Sequence, residues 1–396
     1  MIRLNSSPAD LSRAAEILKG GGLVAFPTET VYGLGADGFN SRALARVFEV
    51  KGRPRFDPLI IHIAAIADLE RVVMLEALSA PRRGMLMDLA GAFWPGPLTL
   101  VLPKRPELPG LATAGLSTVA VRLPSHPAAR KLISLSTGAV AAPSANPFGR
   151  LSPTRAAHVE EGLGDKIDCL IDGGPCAIGI ESTVLSLSET EEGPPRLLRP
   201  GGIGRETLEA LAGPLAAGTE NADGVPDSPG MLKSHYAPEA PLVLHRPEEM
   251  SALPRHAGEG FLFFSGAARD AWLRGPGRSG EPGGAGEPGG AGFSGGGGFP
   301  GGGGFPGGGG FPGGGGFPGG PENPPADPEI LALSESGSIP EAAANFFEGL
   351  RRLDRLNLRL IRAELLPEEG LGAAVNDRLR RASGRNHIPP EVSGRS

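Results

Sequence analysis

The sequence predicts an α/β protein in which a mixed, twisted sheet forms a large first domain and a smaller three-layer α/β domain follows it. Two patterns favour this class. Short apolar runs rich in β-branched residues are interleaved with segments of helical periodicity up to about residue 212. The same alternation resumes on a smaller scale near Pro241. The interleaving is irregular, which favours a mixed sheet over a strictly doubly wound one.

The first domain is expected to cover residues 1–212. Apolar runs predict strands at Leu23–Phe26, Leu59–Ile63, Leu98–Leu102, Thr118–Leu123, Ala139–Ala142, Cys169–Asp172, Thr183–Leu187 and Arg196–Leu198. Helical periodicity predicts helices at Ala9–Lys19, Ser41–Val50, Ala67–Leu75, Arg82–Phe93, His126–Leu135 and Thr154–Leu163. The N-terminal segment, behind Ser7 and Pro8, is typical of an N-capped amphipathic helix and not of a signal peptide.

The remainder is expected to form a linker, residues 213–240, and a small C-terminal domain, residues 241–396. Strands are predicted at Leu242–Leu244, Phe261–Phe264 and Leu358–Glu364, with a helix from Pro340 and a closing helix at Ala373–Ala382. An insertion at 275–328 holds 27 glycines and 11 prolines, including four tandem GGGGFP units. Such a segment cannot bury enough apolar surface to offset its ordering entropy, so we expect disorder there.

Charge and composition exclude several classes of function. The formal net charge is −6 and the isoelectric point about 5.8, which argues against a broad basic surface for nucleic acid. The two cysteines, Cys169 and Cys176, form no CxxC pair, so reduced intracellular thiols are expected. No apolar run approaches the roughly 20 residues that span a bilayer, and a cytoplasmic location is expected.

One glycine motif is misleading. Gly33–Gly38 reads GLGADG, a literal GxGxxG, but Pro27–Tyr32 separate it from the preceding strand and the next helix begins only at Ser41. A dinucleotide fingerprint places its first glycine directly after the strand. P-loop, GxSxG and HExxH motifs are also absent from the sequence. We therefore expect neither dinucleotide binding at this motif nor the chemistry of those families.

Polar and cationic residues gather near the ends of predicted strands and helices. Thr28, Glu29 and Thr30 follow the strand Leu23–Phe26, and such positions build ligand sites in open sheets. The KGRP segment supplies Lys51 and Arg53, two cations suited to phosphate oxygens, although a solvated helix end is the commoner meaning of an isolated KxR.

Arg122 is the residue hardest to explain structurally. It lies near the end of an apolar strand, where a buried guanidinium requires an anionic partner. That partner is either an Asp or Glu elsewhere in the chain or a ligand carboxylate or phosphate. His62 occupies a similar position, and a satisfied core histidine is at least as good an explanation for it as a ligand contact.

Further polar residues accompany these. Ser144 and Asn146 follow the strand Ala139–Ala142, where turn chemistry alone could explain them, and Ser152 can be interpreted as a helix cap. Ser182 precedes a strand, and Arg199 adds a cation beside a turn. Together they suggest a polar pocket for a phosphorylated ligand and a carboxylate. The linker segment SPGMLKSHYAP carries Lys233, His235 and Tyr236, either as part of a surface loop or as functional groups.

Ordered motifs then identify a resemblance. The segments PTETVYGLG, KGRP with DPLIIHI, WPGPLTLVL, STVAVRLPSHP, APSANPFG, IDGG, ESTV and LLRPG resemble those of the YrdC-type L-threonylcarbamoyladenylate synthase family. The linker and second domain resemble its long, two-domain form. The resemblance covers about Ala9–Leu244 and Ile330–Ala382, and the GGGGFP insertion departs from it.

The resemblance implies that ATP, L-threonine and bicarbonate give threonylcarbamoyl-AMP and pyrophosphate, and that a separate transferase complex uses the product to modify tRNA. It implies Mg²⁺ with ATP, no organic cofactor and no protein-held metal, while direct binding of tRNA stays open. Lys51 and Arg53 are implied as catalytic cations. Implied threonine contacts are Thr30, His62, Arg122, Ala142 and Ser182. Implied ATP contacts are Arg53, Asp57, Thr118, Ser144, Asn146, Ser152, Arg199 and Tyr236.

Three other functions are weighed against this one. An RNA-binding or ribosome-maturation factor is disfavoured by the acidic net charge and the absence of aromatic stacking motifs. A nicotinamide enzyme would have to use GLGADG. A relative that carbamoylates other acceptors is disfavoured because the acylphosphatase-like and zinc-finger segments of hydrogenase-maturation proteins are missing.

Overall fold

A computed structural model describes residues 1–187, 193–218, 236–275, 325 and 327–384. Most of the insertion expected at 275–328 and most of the 213–240 linker, including Lys233 and His235, lie outside the described residues. None of the described helices is long and apolar enough to cross a membrane.

The first domain is a mixed sheet covered by helices, as predicted. Its strands are β1 (Ile2–Asn5), β2 (Val24–Phe26), β3 (Gly33–Asp37), β4 (Ile60–Ile63), β5 (Leu98–Pro103), β6 (Thr118–Arg122), β7 (Ala139–Ala141), β8 (Cys169–Asp172), β9 (Thr183–Ser186), β10 (Arg196–Arg199) and β11 (Ala216–Ala217). Its helices are α1 (Pro8–Lys19), α2 (Ser41–Lys51), α3 (Ala80–Phe93), α4 (Pro127–Leu135), α5 (Ala156–Leu163) and α6 (Arg205–Ala212). The strand order is β1-β8-β2-β3-β7-β4-β6-β5-β9-β10-β11.

The glycine motif is a strand. Residues 33–37 form β3, which pairs antiparallel with β2 and with β7. A Cβ on Gly35 would lie 2.8 Å from the Phe26 ring, so this glycine gives room to a core aromatic residue. Sequence analysis missed β3 because its glycines carry no apolar periodicity.

The prediction of a helix at Ala67–Leu75 is wrong. The chain forms two short 3₁₀ segments there, Ile66–Arg71 and Leu75–Ala77. Between them Val72 and Val73 are completely buried, and Val73 forms an antiparallel bridge with Lys104. Two adjacent buried residues with an extended bridge do not fit one face of a helix, so tertiary packing overrides the periodicity.

The second domain contains a parallel four-stranded sheet. Its elements are β12 (Leu242–His245), α7 (Pro247–Ala252), β13 (Glu259–Ser265), α8 (Gly266–Arg274), β14 (Glu329–Ser334), α9 (Ile339–Asp354), β15 (Leu360–Glu364) and α10 (Gly370–Ser383). The strand order is β12-β15-β13-β14. The order of elements predicted from the sequence did not include α7, α8 and β14. Strand β14 begins directly after the glycine-rich stretch, which obscures its apolar pattern.

The two domains share a hydrophobic core. Val31, Leu151 and Ile180 of the first domain cluster with Tyr236 and with second-domain residues that include Phe347. Gly179 adopts φ +77°, and a Cβ there would lie 2.5 Å from the Ala344 Cα atom of α9. Only glycine permits this close approach. The interface therefore packs like a protein interior.

Candidate functional site

A pocket lies against one face of the central strands β4 and β6. Its lining includes Ile60, His62 and Arg122. Ile60 and His62 are two residues apart and therefore point to the same face of β4, and Arg122 is the register partner of His62. We call this space the central pocket. The sequence had suggested strand ends, whereas part of the site lies on the strands themselves.

Most of the predicted site residues meet in this pocket. Those that line it are Thr30, Arg53, His62, Arg122, Ala142, Ser144, Ser182, Arg199 and Tyr236. They come from segments spread over more than half of the chain. Of the other predicted residues, Lys51, Asp57, Thr118, Asn146 and Ser152 do not line it.

Arg122 has a protein partner inside the pocket. Its Nη2 lies 2.7 Å from Glu29 Oε1, and both side chains are almost fully buried. Nη1 donates to the Thr30 hydroxyl at 2.8 Å, and Nε donates to the Gly96 carbonyl. Burial raises the pKa of Glu29, but the charge and hydrogen bond of Arg122, together with backbone hydrogen bonds, outweigh it and hold the pKa below its usual value. The sequence left open whether Arg122 pairs with a carboxylate of the chain or with a ligand. The structure shows the pair with Glu29, and Arg122 also lines the pocket.

The Thr30 hydroxyl is held by its own loop. Thr28 Oγ1 lies 2.8 Å from Thr30 Oγ1, accepts hydrogen bonds from the backbone N–H groups of Thr30 and Val31, and donates to the Val31 carbonyl. These local bonds close a tight turn after β2. Thr30 is therefore fixed where it accepts from Arg122, which orients the guanidinium.

His62 is neutral in this environment. Burial, together with the charge of Arg122, lowers the pKa of His62 to about 3. Its Nδ1 lies 3.3 Å from the Ile60 carbonyl oxygen, and its ring meets Phe26 edge to face with centroids 6.3 Å apart. A neutral imidazole can contact a polar ligand without adding charge.

Arg53 is placed by the end of α2. Gly52 ends the helix in the left-handed conformation with φ +63°, which glycine tolerates best, and turns the chain toward the pocket. Arg53 then pairs with Asp57 at 2.8 Å and donates to the Pro58 carbonyl. Asp57 is completely buried, so its carboxylate holds Arg53 instead of lining the pocket.

Lys51 is neither a solvated helix-end charge nor a lining residue of the pocket. Its side chain is buried, and Nζ donates to the carbonyl oxygens of Ser144, at 2.6 Å, and Asn146. Burial and the charge of Arg53 lower the pKa of Lys51 well below its usual value. Lys51 thus fixes the turn that presents Ser144 to the pocket.

Thr118 lies on the pocket face but farther along the sheet. Thr118 is four residues from Arg122 on β6. Alternate side chains of a strand point to the same face of the sheet, so these two share a face. At about 3.3 Å per residue they are roughly 13 Å apart. Thr118 therefore lies on the face of β6 that carries Arg122 but outside the lining of the pocket.

Glu181 and Ser182 form the wall on the β9 side. Arg199 donates from Nε and Nη2 to the Ser182 carbonyl, at 3.2 and 3.0 Å, and Thr99 Oγ1 lies 2.7 Å from the Ser182 hydroxyl. Burial lowers the pKa of Arg199 from its usual value. The Ser152 hydroxyl donates to Glu181 Oε1 at 2.5 Å. Helix α5 is capped at Arg155 without a side-chain bond, so the interpretation of Ser152 as its cap is wrong.

Tyr236 and Asn146 complete the predicted set. Tyr236 is buried, packs on Phe347 with ring centroids 5.7 Å apart, and contributes to the pocket wall; burial raises its pKa to about 12. Asn146 donates from Nδ2 to the carbonyls of Pro147 and Arg150, which shapes the turn beside Ser144.

Two buried glutamates engage arginines at the site: Glu181 lines the pocket and was not predicted, and Glu29 was noted only as a polar residue after a strand. Glu29 pairs with Arg122, and Glu181 pairs with Arg378 of α10. The sequence showed both glutamates inside conspicuous motifs, PTET and ESTV, but nothing local indicates their distant partners. In the described part of the chain, no group of three or more His, Cys, Asp or Glu side chains is placed to hold a metal ion. Both carboxylates are already engaged by arginines.

Comparisons with known proteins point to the same family along nearly the whole chain. The family model Sua5_yciO_yrdC, described as "Telomere recombination", matches residues 16–201, and a model described as "Threonylcarbamoyl-AMP synthase, C-terminal domain" matches residues 203–384. A threonylcarbamoyl-AMP synthase of Pyrococcus abyssi is 40% identical over 94% of this chain and 93% of its own length. One from Bacillus subtilis is 36% identical over 96% and 95%.

A solved structure is similar over nearly the same extent. The crystal structure of Pyrococcus abyssi Sua5 complexed with L-threonine superposes with a TM-score of 0.73 at 36% identity. The similarity covers 97% of both chains.

Proposed function

Because this chain belongs to the Sua5_yciO_yrdC family and is a threonylcarbamoyl-AMP synthase, we propose that the central pocket is where L-threonine, bicarbonate and ATP react. The observation that carries this assignment is the convergence of Arg53, Arg122 and Arg199 on one buried polar space. Asp57 and Glu29 already pair with Arg53 and Arg122, but all three guanidinium groups still line the pocket. There they can contact the carboxylate, bicarbonate and triphosphate that the substrates bring.

Threonine is assigned to the Arg122 end of the pocket. Arg122 would hold the substrate carboxylate while Glu29 compensates the guanidinium when threonine is absent. The Thr30 and Ser182 hydroxyls and the neutral His62 ring supply polar contacts for the amine and side chain, and Ala142 bounds the space. The complex of the Pyrococcus relative with L-threonine supports threonine as a ligand, and the placement at Arg122 rests on the geometry of the pocket.

ATP is assigned to the side of Arg53, Ser144, Arg199 and Tyr236, with Thr118 farther along the same face of β6. The threonine nitrogen first takes up bicarbonate, with loss of water, to give a carbamate. A carbamate oxygen then forms a bond to the α-phosphorus, and the bond to the pyrophosphate oxygen breaks. Negative charge builds on the phosphate oxygens, and Arg53 and Arg199 are placed to stabilise it.

No side-chain nucleophile takes part in this sequence, because the carbamate itself attacks. Tyr236 covers the pocket from the end of the 213–240 linker, which suits a lid that shields a hydrolysable product from water. We propose that Mg²⁺ enters with ATP, where it would offset part of the phosphate charge. No step is assigned to the ion.

The product is proposed to pass to a tRNA threonylcarbamoyl transferase complex, as the family resemblance implies, in the cytoplasm. The test is pyrophosphate release by the full chain with each substrate omitted in turn. Release should require both threonine and bicarbonate, and serine should replace threonine poorly. Pyrophosphate release that is independent of threonine would contradict the assignment.

A further inference from the structure

The second domain places a fully buried arginine next to the ATP side of the pocket. Arg378 lies on α10 and has no solvent-exposed side-chain surface. Its Nε donates to Glu181 Oε2 at 3.0 Å, and Nη1 donates to the Pro200 carbonyl. The two acceptors belong to the first domain, and each is a chain neighbour of a pocket residue, Ser182 or Arg199.

The same guanidinium contacts the tyrosine that covers the pocket. Its Cζ lies 5.7 Å from the centroid of the Tyr236 ring, within the range of a cation–π contact. Arg378 Nη2 is buried and has no hydrogen-bond acceptor among the described residues, and its guanidinium contacts the ring face of Tyr236. One side chain thus touches Glu181, the backbone directly after Arg199, and Tyr236.

Electrostatics explain why this contact matters for ATP. Glu181 lines the pocket and is buried, so its carboxylate would repel the triphosphate unless its charge is compensated. Its nearest described cation at ion-pair distance is Arg378, and its other hydrogen bond comes from the neutral Ser152 hydroxyl. The wall that faces a polyanion is therefore neutralised from the other domain.

We propose that Arg378 is a positioning residue for ATP: it neutralises and orients Glu181 and supports Tyr236, so that the second domain completes the nucleotide side of the active site. The inference rests on the proposed function for the assignment of ATP to this side of the pocket. It goes further by giving a residue of the second domain a defined part in the reaction.

The test is a double-mutant cycle in the full chain. Pyrophosphate release is measured against ATP concentration at saturating threonine and bicarbonate for the natural chain, Arg378→Gln, Glu181→Gln and the double variant. Arg378→Gln should raise the KM for ATP roughly tenfold or more, because a buried carboxylate loses its cation. Adding Glu181→Gln should bring the KM for ATP much of the way back, since the pocket wall then carries no uncompensated glutamate. Asp377, the other carboxylate that contacts Arg378, keeps its ion pair with Arg381.

A matched control is Arg355→Gln. Arg355 forms an ion pair with Glu161 across the same domain interface, at 2.9 Å, but does not line the pocket. It should leave the KM for ATP near the value of the natural chain. If Arg378 merely fastened the domains together, Arg355→Gln would act in the same direction and Glu181→Gln would give no rescue.

An unchanged KM in folded Arg378→Gln, or strictly additive effects in the cycle, would overturn the inference. If Arg378→Gln does not fold, Arg378→Lys with and without Glu181→Gln gives the same cycle. Lysine should raise the KM several-fold because it lacks the second contact to the Pro200 carbonyl, and absence of coupling would again refute the role. Failure of the proposed function has a different signature: the natural chain itself would release no threonine-dependent pyrophosphate.

Discussion

Replacing Arg122 should separate its contribution to the stability of the fold from its proposed contribution to threonine binding. The guanidinium compensates Glu29, whose side chain is only 8% exposed, and it is also the proposed holder of the threonine carboxylate. In Arg122→Met the Glu29 carboxylate stays buried without its cation. We expect the free energy of unfolding to fall by about 3–5 kcal/mol, the cost of breaking a buried pair on one side.

The double variant Arg122→Met/Glu29→Gln removes both charges. Because replacement of a buried ion pair by neutral groups is often nearly neutral, most of the lost stability should return. Threonine binding should not return, since the substrate carboxylate still lacks its charged partner. A loss of about 2–5 kcal/mol corresponds to a dissociation constant raised roughly 30-fold or more.

Urea unfolding measures the first quantity, and calorimetric titration with threonine measures the second. Glu29→Gln alone is the matched control, because Arg122 keeps its bonds to Thr30 and the Gly96 carbonyl and should still bind threonine. Native threonine affinity in the folded double variant would refute the carboxylate assignment. Native stability in Arg122→Met would refute the ion-pair argument.

Three other outcomes are expected. Lys51→Met should cost about 1–3 kcal/mol in urea unfolding, because the Ser144 and Asn146 carbonyls lose their donor. It should also raise the KM for ATP, because the turn that presents Ser144 is no longer held; an unchanged KM would limit Lys51 to a role in stability. Folding lowers the pKa of His62 from 6.5 to about 3, so between these pH values the unfolded chain binds a proton that the folded chain does not. The free energy of unfolding should therefore decline as the pH falls from about 6.5 toward 3. His62→Gln should flatten that decline in unfolding curves. Replacing residues 275–328 by a short Gly-Ser loop should leave kinetics and melting nearly unchanged, because doubling a loop's length costs only about 0.6 kcal/mol; a changed oligomeric state in sedimentation would instead favour phenylalanine-mediated association.

The sequence predicted the members of the pocket better than their partners. Thr30, Arg122 and Ser182 stand in motifs whose order and spacing are recognisable, and the structure brings them together. Glu181 and Arg378 are 197 residues apart, and their pairing depends on how two domains pack. No local pattern encodes such a contact, so only the folded chain shows it.

Local interpretations failed where a residue's environment is set from a distance. Lys51 has the sequence context of a solvated helix end, yet the loop after β7 covers it and supplies two carbonyls. Ser152 stands where a helix cap is plausible, but its hydroxyl donates a hydrogen bond to Glu181 of another segment. The β3 strand was hidden because glycines there make room for Phe26 instead of showing an alternating pattern.

The core shared by the two domains affects how natural variation in this protein should be interpreted. Val31 and Ile180 belong to that core, and each adjoins a pocket residue in the chain, Thr30 or Glu181. Close-packed interiors transmit small displacements, so a smaller side chain at Phe347 should disturb the loop that presents the Thr30 hydroxyl. A substitution in the second domain, far from the chemistry, would then alter the enzyme's kinetics, so the two domains should not be treated as independent modules when variants are compared.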